Sequence, residues 1–384
     1  MKRRWMVATV VLAVTLAACG REVGGDPAPE PDEDTTVDET PDDGEAPEAA
    51  GCEVGEVDGD LLFGNWSEYM DPDLVTQFEE EYGVNVTEDF YTSNEALLAQ
   101  IRAGGADFDL VVPSDYMVEI MIGEGILMEL DHDAIPNMAN VASEFADPPY
   151  DPGLRYSMPY QWGTTGIGVD LEATGDDPPA SWALLFDPDV AGALPGQISI
   201  LDDPREGMAA ALFWLGYDLN TTDEGELQEA ADVIEEARAW TVTYTSDQYA
   251  ELLLTGETVV GHGYSGGFLD SFWGADDPDR YTYLIPEEGA VIWTDNMSIL
   301  ADASSPCTAH TFINFILDAE NGAQLTNFTY YASPNAASTE FIEDEITQDP
   351  TIYPTDEVRQ NLFFLESTGE AEILYTDLFT RAQG

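Results

Sequence analysis

The chain has 384 residues, of which 77 are Asp or Glu and 11 are Lys or Arg, so its formal net charge at pH 7 is -66. Repulsion from phosphate groups excludes nucleic acid as an expected partner, and it excludes binding to anionic membranes through charge. A saline or alkaline habitat explains most of this charge, and attraction of cations is the alternative. Salt screens exposed charges beyond about 8 Å, so the ligand must be inferred from local residues.

The N-terminus predicts an export signal over residues 1–18 and a lipid anchor at Cys19. Basic residues 2–4 precede a mostly apolar run, residues 5–18, which is too short to span a bilayer comfortably. The run ends in Leu16-Ala17-Ala18-Cys19, which resembles the lipobox of bacterial lipoproteins, where the signal is cut before an acylated cysteine. An ordinary signal peptide with a chance cysteine is the alternative. The lipoprotein interpretation places the protein outside the cytoplasm, anchored to the outer face of the cell membrane or in the periplasm.

Residues 19–51 are predicted to form an acidic, disordered linker. Residues 20–50 contain no aromatic residue, many Pro and Gly, and a dense run of Asp and Glu. Such a composition buries too little apolar surface to offset the entropy of ordering. A flexible chain of this length reaches roughly 30 Å, so the linker would hold the folded body clear of the lipid.

The body, residues 52–384, is rich in aromatic residues and longer than one hydrophobic core usually accommodates, which predicts two lobes. With Cys19 assigned to the anchor, Cys52 and Cys307 are the only other cysteines. In an oxidising compartment such a pair predicts a disulfide between the start of the body and a distant segment.

Strands and helices alternate at the start of the body. Asp71 and Ser93 are predicted helix N-caps, and Gly83 is predicted to end the first helix. The βαβαβ order predicts an α/β lobe with a largely parallel sheet. Its predicted strands are residues 61–63, 84–87 and 109–112.

A second unit is predicted from about residue 171. Strand 198–201 leads into a helix that begins at Asp203, and residues 227–240 form another amphipathic helix. Strand 297–300 and a helix around residues 312–316 are similar in pattern to the first lobe, so the chain is expected to return there. No internal repeat is detected.

Aromatic and acidic residues occur together beside these strands. In open α/β sheets ligands collect at the carboxyl ends of strands. Ring faces attract ammonium groups and cover methylenes, while carboxylates accept charged hydrogen bonds, so the pattern favours an organic cation. The motifs are Trp66-Ser67-Glu68-Tyr69 after the first strand, Ser114-Asp115-Tyr116 after the third, Asp203-Pro204-Arg205-Glu206 in the second unit, and Trp293-Thr294-Asp295 before the late strand.

Asp203 and Glu206 fall at the predicted N-cap and first turn of a helix, where the macrodipole favours ionised carboxylates. Both are expected to stay charged near pH 7, and a plain capping pair is the alternative. Arg205 is the only basic residue in these motifs and is expected to hold the flanking acids in place. An amino acid would need a base for its carboxylate, so the ligand is expected to carry cations and no anion.

Five motifs follow one another along residues 57–384: Asn65-Trp66-Ser67-Glu68-Tyr69, Val112-Pro113-Ser114-Asp115-Tyr116, Tyr156-Ser157-Met158-Pro159-Tyr160-Gln161-Trp162-Gly163, Asp203-Pro204-Arg205-Glu206 and Trp293-Thr294-Asp295. In order and spacing they resemble the spermidine/putrescine-binding proteins of bacterial ABC importers. The resemblance implies a two-lobed α/β fold of the periplasmic-binding-protein type II, in which a polyamine in the cleft favours closure and delivery to a permease. It implies a monomer that needs no cofactor and is not an enzyme. The lobes are placed at residues 52–170 with 293–335, and at residues 171–292 with 336–384.

The resemblance also assigns ligand-binding residues by position. Three departures from the family pattern leave the preferred polyamine open: Tyr264 replaces a tryptophan, the segment around Leu365 lacks a glutamine, and the Ser67-Glu68 pair fits neither the spermidine nor the putrescine pattern fully. The residues assigned to the ligand are Trp66, Ser67, Glu68, Tyr69, Ser114, Tyr116, Asp203, Glu206, Ser246, Tyr264, Trp293, Asp295 and Tyr331.

A secreted serine hydrolase is the alternative from another class. Gly263-Tyr264-Ser265-Gly266-Gly267 satisfies the G-x-S-x-G pattern, and Asp295 and His310 follow Ser265 in the order acid, then His. Short glycine patterns arise often by chance, and the cleft motifs already account for the same residues. His132 and His262 have no partner at a known metal spacing, so no metal site is predicted. Another small amine or an amino acid on the same fold is the alternative among binding proteins.

Overall fold

A computed structural model describes residues 51–104, 107–194 and 196–384. The predicted signal, Cys19 and the linker up to residue 50 lie outside the described residues. The strands are β1 (Leu61–Asn65), β2 (Val86–Phe90), β3 (Leu110–Val111), β4 (Met158–Asp170), β5 (Ile198–Ile200), β6 (Thr241–Tyr244), β7 (Val260–Tyr264), β8 (Tyr281–Leu284), β9 (Ala290–Ile299) and β10 (Leu362–Phe363).

Helices alternate with these strands, and within the described residues none is long and apolar enough to cross a membrane. They are α1 (Pro72–Tyr82), α2 (Asn94–Arg102), α3 (Asp115–Gly123), α4 (Leu171–Thr174), α5 (Ala183–Phe186), α6 (Pro204–Leu215), α7 (Glu224–Ala237), α8 (Tyr249–Thr255), α9 (Ser265–Trp273), α10 (Pro306–Ile316), α11 (Ala319–Thr329), α12 (Asp344–Thr347), α13 (Asp356–Arg359) and α14 (Glu372–Gln383). Short 3₁₀ turns span His132–Ala134, Pro136–Asn140, Ala191–Ala193, Pro278–Arg280, Ala336–Glu340 and Gly369–Ala371.

The strands form one mixed sheet with the order β2-β1-β3-β9-β4-β7-β5-β6, while β10 pairs with β9 and β8 with β4. The predicted parallel βαβαβ unit is present, because β1 pairs in parallel with both β2 and β3. The expectation of a largely parallel sheet is wrong at the centre. There β9 runs antiparallel to β3 and β4, and β4 runs antiparallel to β7 and β8.

Helix α1 begins and ends where the sequence predicts. The Asp71 side chain accepts a hydrogen bond from the N–H of Asp73, Pro72 occupies the first turn, and Gly83 ends the helix with a φ of 72°. Its buried face packs Phe78 on Phe312 of α10, with ring centroids 4.9 Å apart. The late helix therefore returns to the first part of the sheet, as predicted.

Three predicted element bounds are wrong. Strand β2 starts at Val86 rather than residue 84, because the parallel register with β1 begins at the pair Leu61–Val86. Helix α7 starts at Glu224, three residues before the predicted start, because Asp223 caps it by accepting from two backbone N–H groups. Strand β9 starts at Ala290, so Trp293 and Asp295 lie inside a strand instead of before it.

The predicted disulfide joins Cys52 to Cys307 in the second residue of α10. Nearby, the Asp58 carboxylate accepts hydrogen bonds from the backbone N–H groups of Cys307, at 3.2 Å, and Thr308, at 3.0 Å. These N–H groups lack partners within the helix, so Asp58 acts as a side-chain cap. The first described segment is thus fastened to α10 by a covalent bond and by capping.

Replacing both Cys52 and Cys307 by serine is expected to lower the free energy of unfolding by about 2–5 kcal/mol. The crosslink spans 255 residues and therefore restricts the unfolded chain strongly. Urea unfolding of the double variant and of the oxidised parent measures the difference, and chemical reduction of the parent should reproduce it. Equal unfolding midpoints for all three samples would contradict the prediction.

Candidate ligand cavity

A cavity of about 420 Å³ opens where the parallel strands end. Each of the thirteen side chains assigned to a ligand from the sequence lies in its lining. The structure thus brings together residues that are up to 265 positions apart, from 66 to 331. Trp66, Ser67, Glu68 and Tyr69 follow β1, Ser114 and Tyr116 start α3, Asp203 and Glu206 start α6, Ser246 follows β6, Tyr264 ends β7, Trp293 and Asp295 lie in β9, and Tyr331 follows α11.

The lining consists mainly of acidic and aromatic side chains. It contains eight carboxylic acids and ten aromatic residues, and none of the described residues that line it is Lys, Arg or His. Such a surface attracts a cation, and its described residues offer an anion no positively charged partner. Sequence reasoning did not assign the lining residues Glu88, Asp115, Asp247, Asp270, Phe90, Tyr91, Tyr249 and Phe328.

Four aromatic rings lie edge to face around one part of the cavity. Trp293 is 5.3 Å from Tyr331 and 6.0 Å from Tyr264, and Tyr69 is 4.9 Å from Tyr331, between ring centroids. Gly163 of β4 makes room for this arrangement, because a Cβ atom there would lie 2.8 Å from the indole of Trp293. The rings can therefore surround an alkyl chain or an ammonium group.

Asp295 lines the same cavity and is held by two hydroxyl groups, one of them from the ring cluster. Its Oδ1 accepts a hydrogen bond from the Ser114 hydroxyl at 2.6 Å, and its Oδ2 accepts one from the Tyr69 hydroxyl at 2.9 Å. Burial raises the pKa of Asp295 to about 7, although these two hydrogen bonds favour the ionised form. The carboxyl group is therefore fixed in position but only partly ionised near pH 7.

Glu206 holds a buried carboxylate oxygen that has no partner. Its Oε1 accepts a hydrogen bond from Thr165 at 3.0 Å, and Thr165 in turn accepts one from Trp293 Nε1 at 3.2 Å. Its Oε2 has no hydrogen-bond partner among the described residues. Burial, followed by the nearby charge of Asp203, raises the pKa of Glu206 well above its usual range. An unpaired buried carboxylate oxygen is costly, so a donor in the cavity would stabilise it.

Asp203 caps α6 as predicted, since its side chain accepts from the backbone N–H groups of Arg205 and Glu206. The expectation that the helix start keeps both acids ionised is wrong in the ligand-free protein. Burial raises the pKa of Asp203 to about 7, and the neighbouring Glu95 adds to the rise. Desolvation outweighs the capping hydrogen bonds here, because the helix start lies inside the protein instead of at its surface.

Among the described residues, no side-chain hydrogen bond of Arg205 goes to the flanking acids, so Arg205 does not hold them in place by direct contact. Its side chain pairs instead with Glu372 of α14 at 2.6 Å. It does not line the cavity within the described residues. A sequence shows that an arginine lies between two acids, but on a helix the neighbours i-2 and i+1 face other directions.

Glu68 sits in the exposed part of the lining with an unusual backbone conformation. Its φ of 55° lies in the left-handed region, which non-glycine residues seldom adopt. Asp270 of α9 lines the same part of the cavity, and burial followed by the charge of Glu68 raises the pKa of Asp270. The two acids therefore lie near each other and extend the negative charge beyond the ring cluster.

Comparison with known proteins agrees with this geometry. Residues 73–355 match the model of the bacterial extracellular solute-binding proteins. The chain belongs to this family. A putrescine/cadaverine-binding protein of Pseudomonas aeruginosa is 35% identical over 300 residues, which cover 77% of this chain and 84% of that protein. A spermidine/putrescine-binding periplasmic protein of Escherichia coli is 33% identical over 323 residues, which cover 84% and 90%.

Solved structures give the same fold. A spermidine/putrescine ABC transporter structure from Listeria monocytogenes superimposes with a TM-score of 0.80 at 35% identity, covering 85% of this chain and 99% of that one. The solute-binding protein therefore has the predicted two-lobed α/β fold of periplasmic binding proteins. The predicted lobe boundaries remain a prediction.

In this solute-binding protein the G-x-S-x-G segment serves ring packing. A Cβ atom at Gly263 or Gly267 would lie 2.4 Å or 2.1 Å from Tyr249, so aromatic contact requires these glycines. His310 uses both ring nitrogens on the backbone: Nε2 accepts from the N–H of Asp131 at 2.9 Å, and Nδ1 bonds to a carbonyl oxygen at 2.7 Å. No described hydrogen bond joins Ser265, Asp295 and His310 into a triad.

No group of three or more His, Cys, Asp or Glu side chains in the described part of the chain could hold a metal ion. His132 bonds through Nε2 to a backbone carbonyl oxygen at 2.7 Å. His262 is buried against Trp182, with ring centroids 5.3 Å apart, and burial lowers its pKa to about 3. His132 and His262 therefore take part in backbone hydrogen bonding and core packing, respectively.

Among the acids that the sequence analysis does not assign, Glu88 has only an apparent signal. It follows the strand predicted at residues 84–87, but the structure places it inside β2, so the signal depends on a wrong strand end. Asp115 lies within the Ser114-Asp115-Tyr116 motif, and its carboxylate accepts a hydrogen bond from the N–H of Thr294 at 3.0 Å. Asp270 carries no such signal, because only the packing of α9 brings it to the cavity.

Proposed function

We propose that the protein binds a polyamine in this cavity and delivers it to the permease of an ABC importer. The buried Oε2 of Glu206 carries the proposal, because among the residues that the structure describes it has no hydrogen-bond partner, and the lining they form has eight carboxylic acids and no basic residue. A primary or secondary ammonium group supplies both the charge and the hydrogen-bond donor that this oxygen lacks.

The spacing of chemical groups in the cavity suits a flexible chain with several cations. The four rings of Tyr69, Tyr264, Trp293 and Tyr331 cover methylenes, while Asp295 and Glu206 accept from ammonium groups. Cation–π contacts in a dry site contribute about 2 kcal/mol each, and hydrogen bonds to charged groups about 1.5–3 kcal/mol. A few such contacts provide the roughly -8 kcal/mol of micromolar affinity after ordering costs.

The relatives that bind putrescine, cadaverine or spermidine support this choice over another amine or an amino acid. An amino acid would bring a carboxylate into a lining whose described residues include no Lys or Arg. Two departures from the family pattern affect which length of polyamine the cavity accommodates. Tyr264 offers a smaller ring than tryptophan, and Leu365 presents an apolar wall where a glutamine was expected.

We infer that the ligand closes two lobes, residues 52–170 with 293–335 and residues 171–292 with 336–384. A ligand shifts a conformational equilibrium only through contacts that differ between the two states. A polyamine paired with both Asp295 and Glu206 would contact the two proposed lobes at once and so favour the closed form. Binding of this kind involves no covalent step, and a monomer suffices for it.

We also propose that Cys19 carries a lipid that anchors the protein outside the cytoplasm. The proposal rests on the Leu16-Ala17-Ala18-Cys19 motif after an apolar run. Membrane attachment would keep the protein near its permease, while the acidic linker leaves the body free to bind ligand.

Titration calorimetry tests the proposed function. The purified protein is titrated with putrescine, spermidine, spermine and glutamate at low and high salt, and at least one polyamine is expected to bind with micromolar affinity while glutamate does not bind. High salt should weaken binding only modestly, since buried pairs are screened less than exposed ones. Binding no tighter than millimolar for every polyamine would overturn the proposal.

A further inference from the structure

Arg205 is a buried guanidinium group directly behind one wall of the cavity. Its side chain is 1% exposed. Nη1 donates to Glu372 Oε1 at 2.6 Å, and Nη2 donates to Asn220 Oδ1 at 2.9 Å. The guanidinium carbon lies 5.2 Å from the ring centroid of Tyr116 and 4.6 Å from that of Tyr375. Both distances fall within the range of cation–π contacts.

The ring of Tyr116 separates this fixed cation from the cavity. Tyr116 is part of the lining and contacts the guanidinium group, whereas Arg205 itself is absent from the described lining. The Tyr116 hydroxyl donates to Glu95 Oε1 at 2.9 Å, which holds the ring at its other end. Glu372, which pairs with Arg205, also lies outside the lining. A cation in the cavity would therefore contact the Tyr116 ring and the lining acids, and the ring would separate it from the guanidinium group.

The same guanidinium group fixes the segment that contains Leu365. The carbonyl oxygen of Glu366 accepts from Nη1 at 3.2 Å and from Nη2 at 3.1 Å. Asn220 continues the link, because its Oδ1 accepts from the N–H of Glu366 at 2.9 Å and its Nδ2 donates to the carbonyl oxygen of Phe364 at 3.0 Å. Leu365 lies between these two fixed residues, is buried and lines the cavity.

We propose that Arg205 is a positioning residue that fixes two walls of the ligand cavity, the ring of Tyr116 and the side chain of Leu365. Its charge also favours the ionised form of the neighbouring acids, which is the form that binds a cation. The inference rests on the proposed function. It requires the two properties that distinguish arginine, a permanent charge and a planar group with several donors in fixed directions.

The charged surroundings of Arg205 come from four helices. Glu95 belongs to α2, Asp115 and Tyr116 to α3, Glu206 to α6 with Asp203 as its N-cap, and Glu372 and Tyr375 to α14. Burial raises the pKa of four of these acids, and the Arg205 charge opposes the rise in each case. The four are Glu95, Asp115, Asp203 and Glu206. Removal of the charge should therefore leave them protonated up to a higher pH.

Three variants separate the charge of Arg205 from its geometry. Arg205→Met removes both, and we expect spermidine affinity at pH 7 to fall roughly 2- to 30-fold, with the pH midpoint of binding about one pH unit higher. Arg205→Lys keeps the charge, so the midpoint should stay near that of the parent while affinity still falls. Asn220→Ala leaves the guanidinium charge intact and loosens only the segment around Leu365, so affinity should fall without a change in midpoint. Hydrogen exchange at residues 364–368 in the ligand-free proteins should be faster in all three.

The readouts distinguish failure of this inference from failure of the proposed function. If the parent binds no polyamine, the proposed function fails, and exchange at residues 364–368 still reports whether Arg205 fixes that segment. If the parent binds and a folded Arg205→Met protein keeps its affinity and its pH midpoint, the inference is overturned. If Arg205→Met does not fold, Arg205→Lys and Asn220→Ala test the inference. The inference is overturned if both variants have the same polyamine affinity and the same exchange rates at residues 364–368 as the parent.

Discussion

Glu206→Gln and Asp295→Asn are each expected to weaken polyamine binding by at least about tenfold, because each leaves an ammonium group without its anionic partner in a buried site. Both changes keep the size of the side chain. In Glu206→Gln the remaining carbonyl oxygen can still accept the hydrogen bond from Thr165, which measures 3.0 Å in the parent. Titration calorimetry at pH 8, above the pKa of about 7 of Asp295, measures the loss when the parent carboxylate is mostly ionised.

A surface variant controls for the loss of one charge. Glu235 lies exposed on α7, outside the cavity lining, so Glu235→Gln removes the same charge from a protein with a net charge of -66. Its affinity should stay within about twofold of the parent, since exposed charges are screened at this distance. Parental affinity in both cavity variants would show that the ligand binds elsewhere.

Thermal unfolding distinguishes a lost contact from a damaged fold. The folded protein raises the pKa of Glu206 above its value in the unfolded chain, so this group lowers the stability of the ligand-free protein at pH 8. Glu206→Gln should therefore unfold at an equal or higher temperature than the parent while it binds more weakly. A variant that lost both stability and affinity would point to a structural role for Glu206.

Local chemistry made the first helices predictable. Asp71, Gly83 and Ser93 act through their own neighbouring backbone groups, so their caps can be seen in a short window of sequence. The parallel order of β1, β2 and β3 follows from the alternation of strands and helices. Such features depend on few distant residues, which is why the sequence sufficed for them.

The long strands at the centre were not predictable in the same way. In β9, Trp293 pairs with Gly163 and Asp295 with Gln161 of β4, so polar residues continue a strand that is buried on both sides. A buried Asp within a strand contradicts simple hydrophobic patterning, and it is tolerated because Ser114 and Tyr69 satisfy its oxygens. These hydroxyl groups come from more than 180 residues away, so no local window contains the cause.

In the candidate site, too, some properties were predictable from the sequence and others were not. The family resemblance, carried over by position, assigns thirteen residues that the structure brings to one cavity, whereas their ionisation was not predictable. Helix position alone favours ionised Asp203 and Glu206, but the depth of burial decides, and burial is a property of the whole fold. The direction of the Arg205 side chain follows from contacts with α14, some 170 residues later.

Polyamine affinity is expected to fall as the pH decreases from 8 to 5.5, because an ammonium group binds an ionised carboxylate much more strongly than a protonated one. In the ligand-free protein the pKa values of Asp203 and Asp295 are about 7, and that of Glu206 is raised well above its usual range. Each carboxyl group that must lose its proton on binding weakens affinity by up to about tenfold for each pH unit below its pKa. The total loss over this range should therefore exceed about tenfold, measured by calorimetry at several pH values.

Proton release gives an independent measure of the same linkage. At pH 6.5 binding should release protons, so the observed enthalpy should depend on the ionisation enthalpy of the buffer, and Glu206→Gln should release fewer protons than the parent. The stability of the ligand-free protein has the opposite pH dependence. Asp203, Glu206 and Asp295 have a higher pKa in the folded protein than in the unfolded chain. Their contribution to stability is therefore greatest below about pH 4 and decreases as the pH rises through 7. The increase in unfolding temperature on adding spermidine should thus be larger at pH 8 than at pH 5.5. An affinity that stays constant over this range, without proton release, would show that the ligand does not pair with these buried carboxylates.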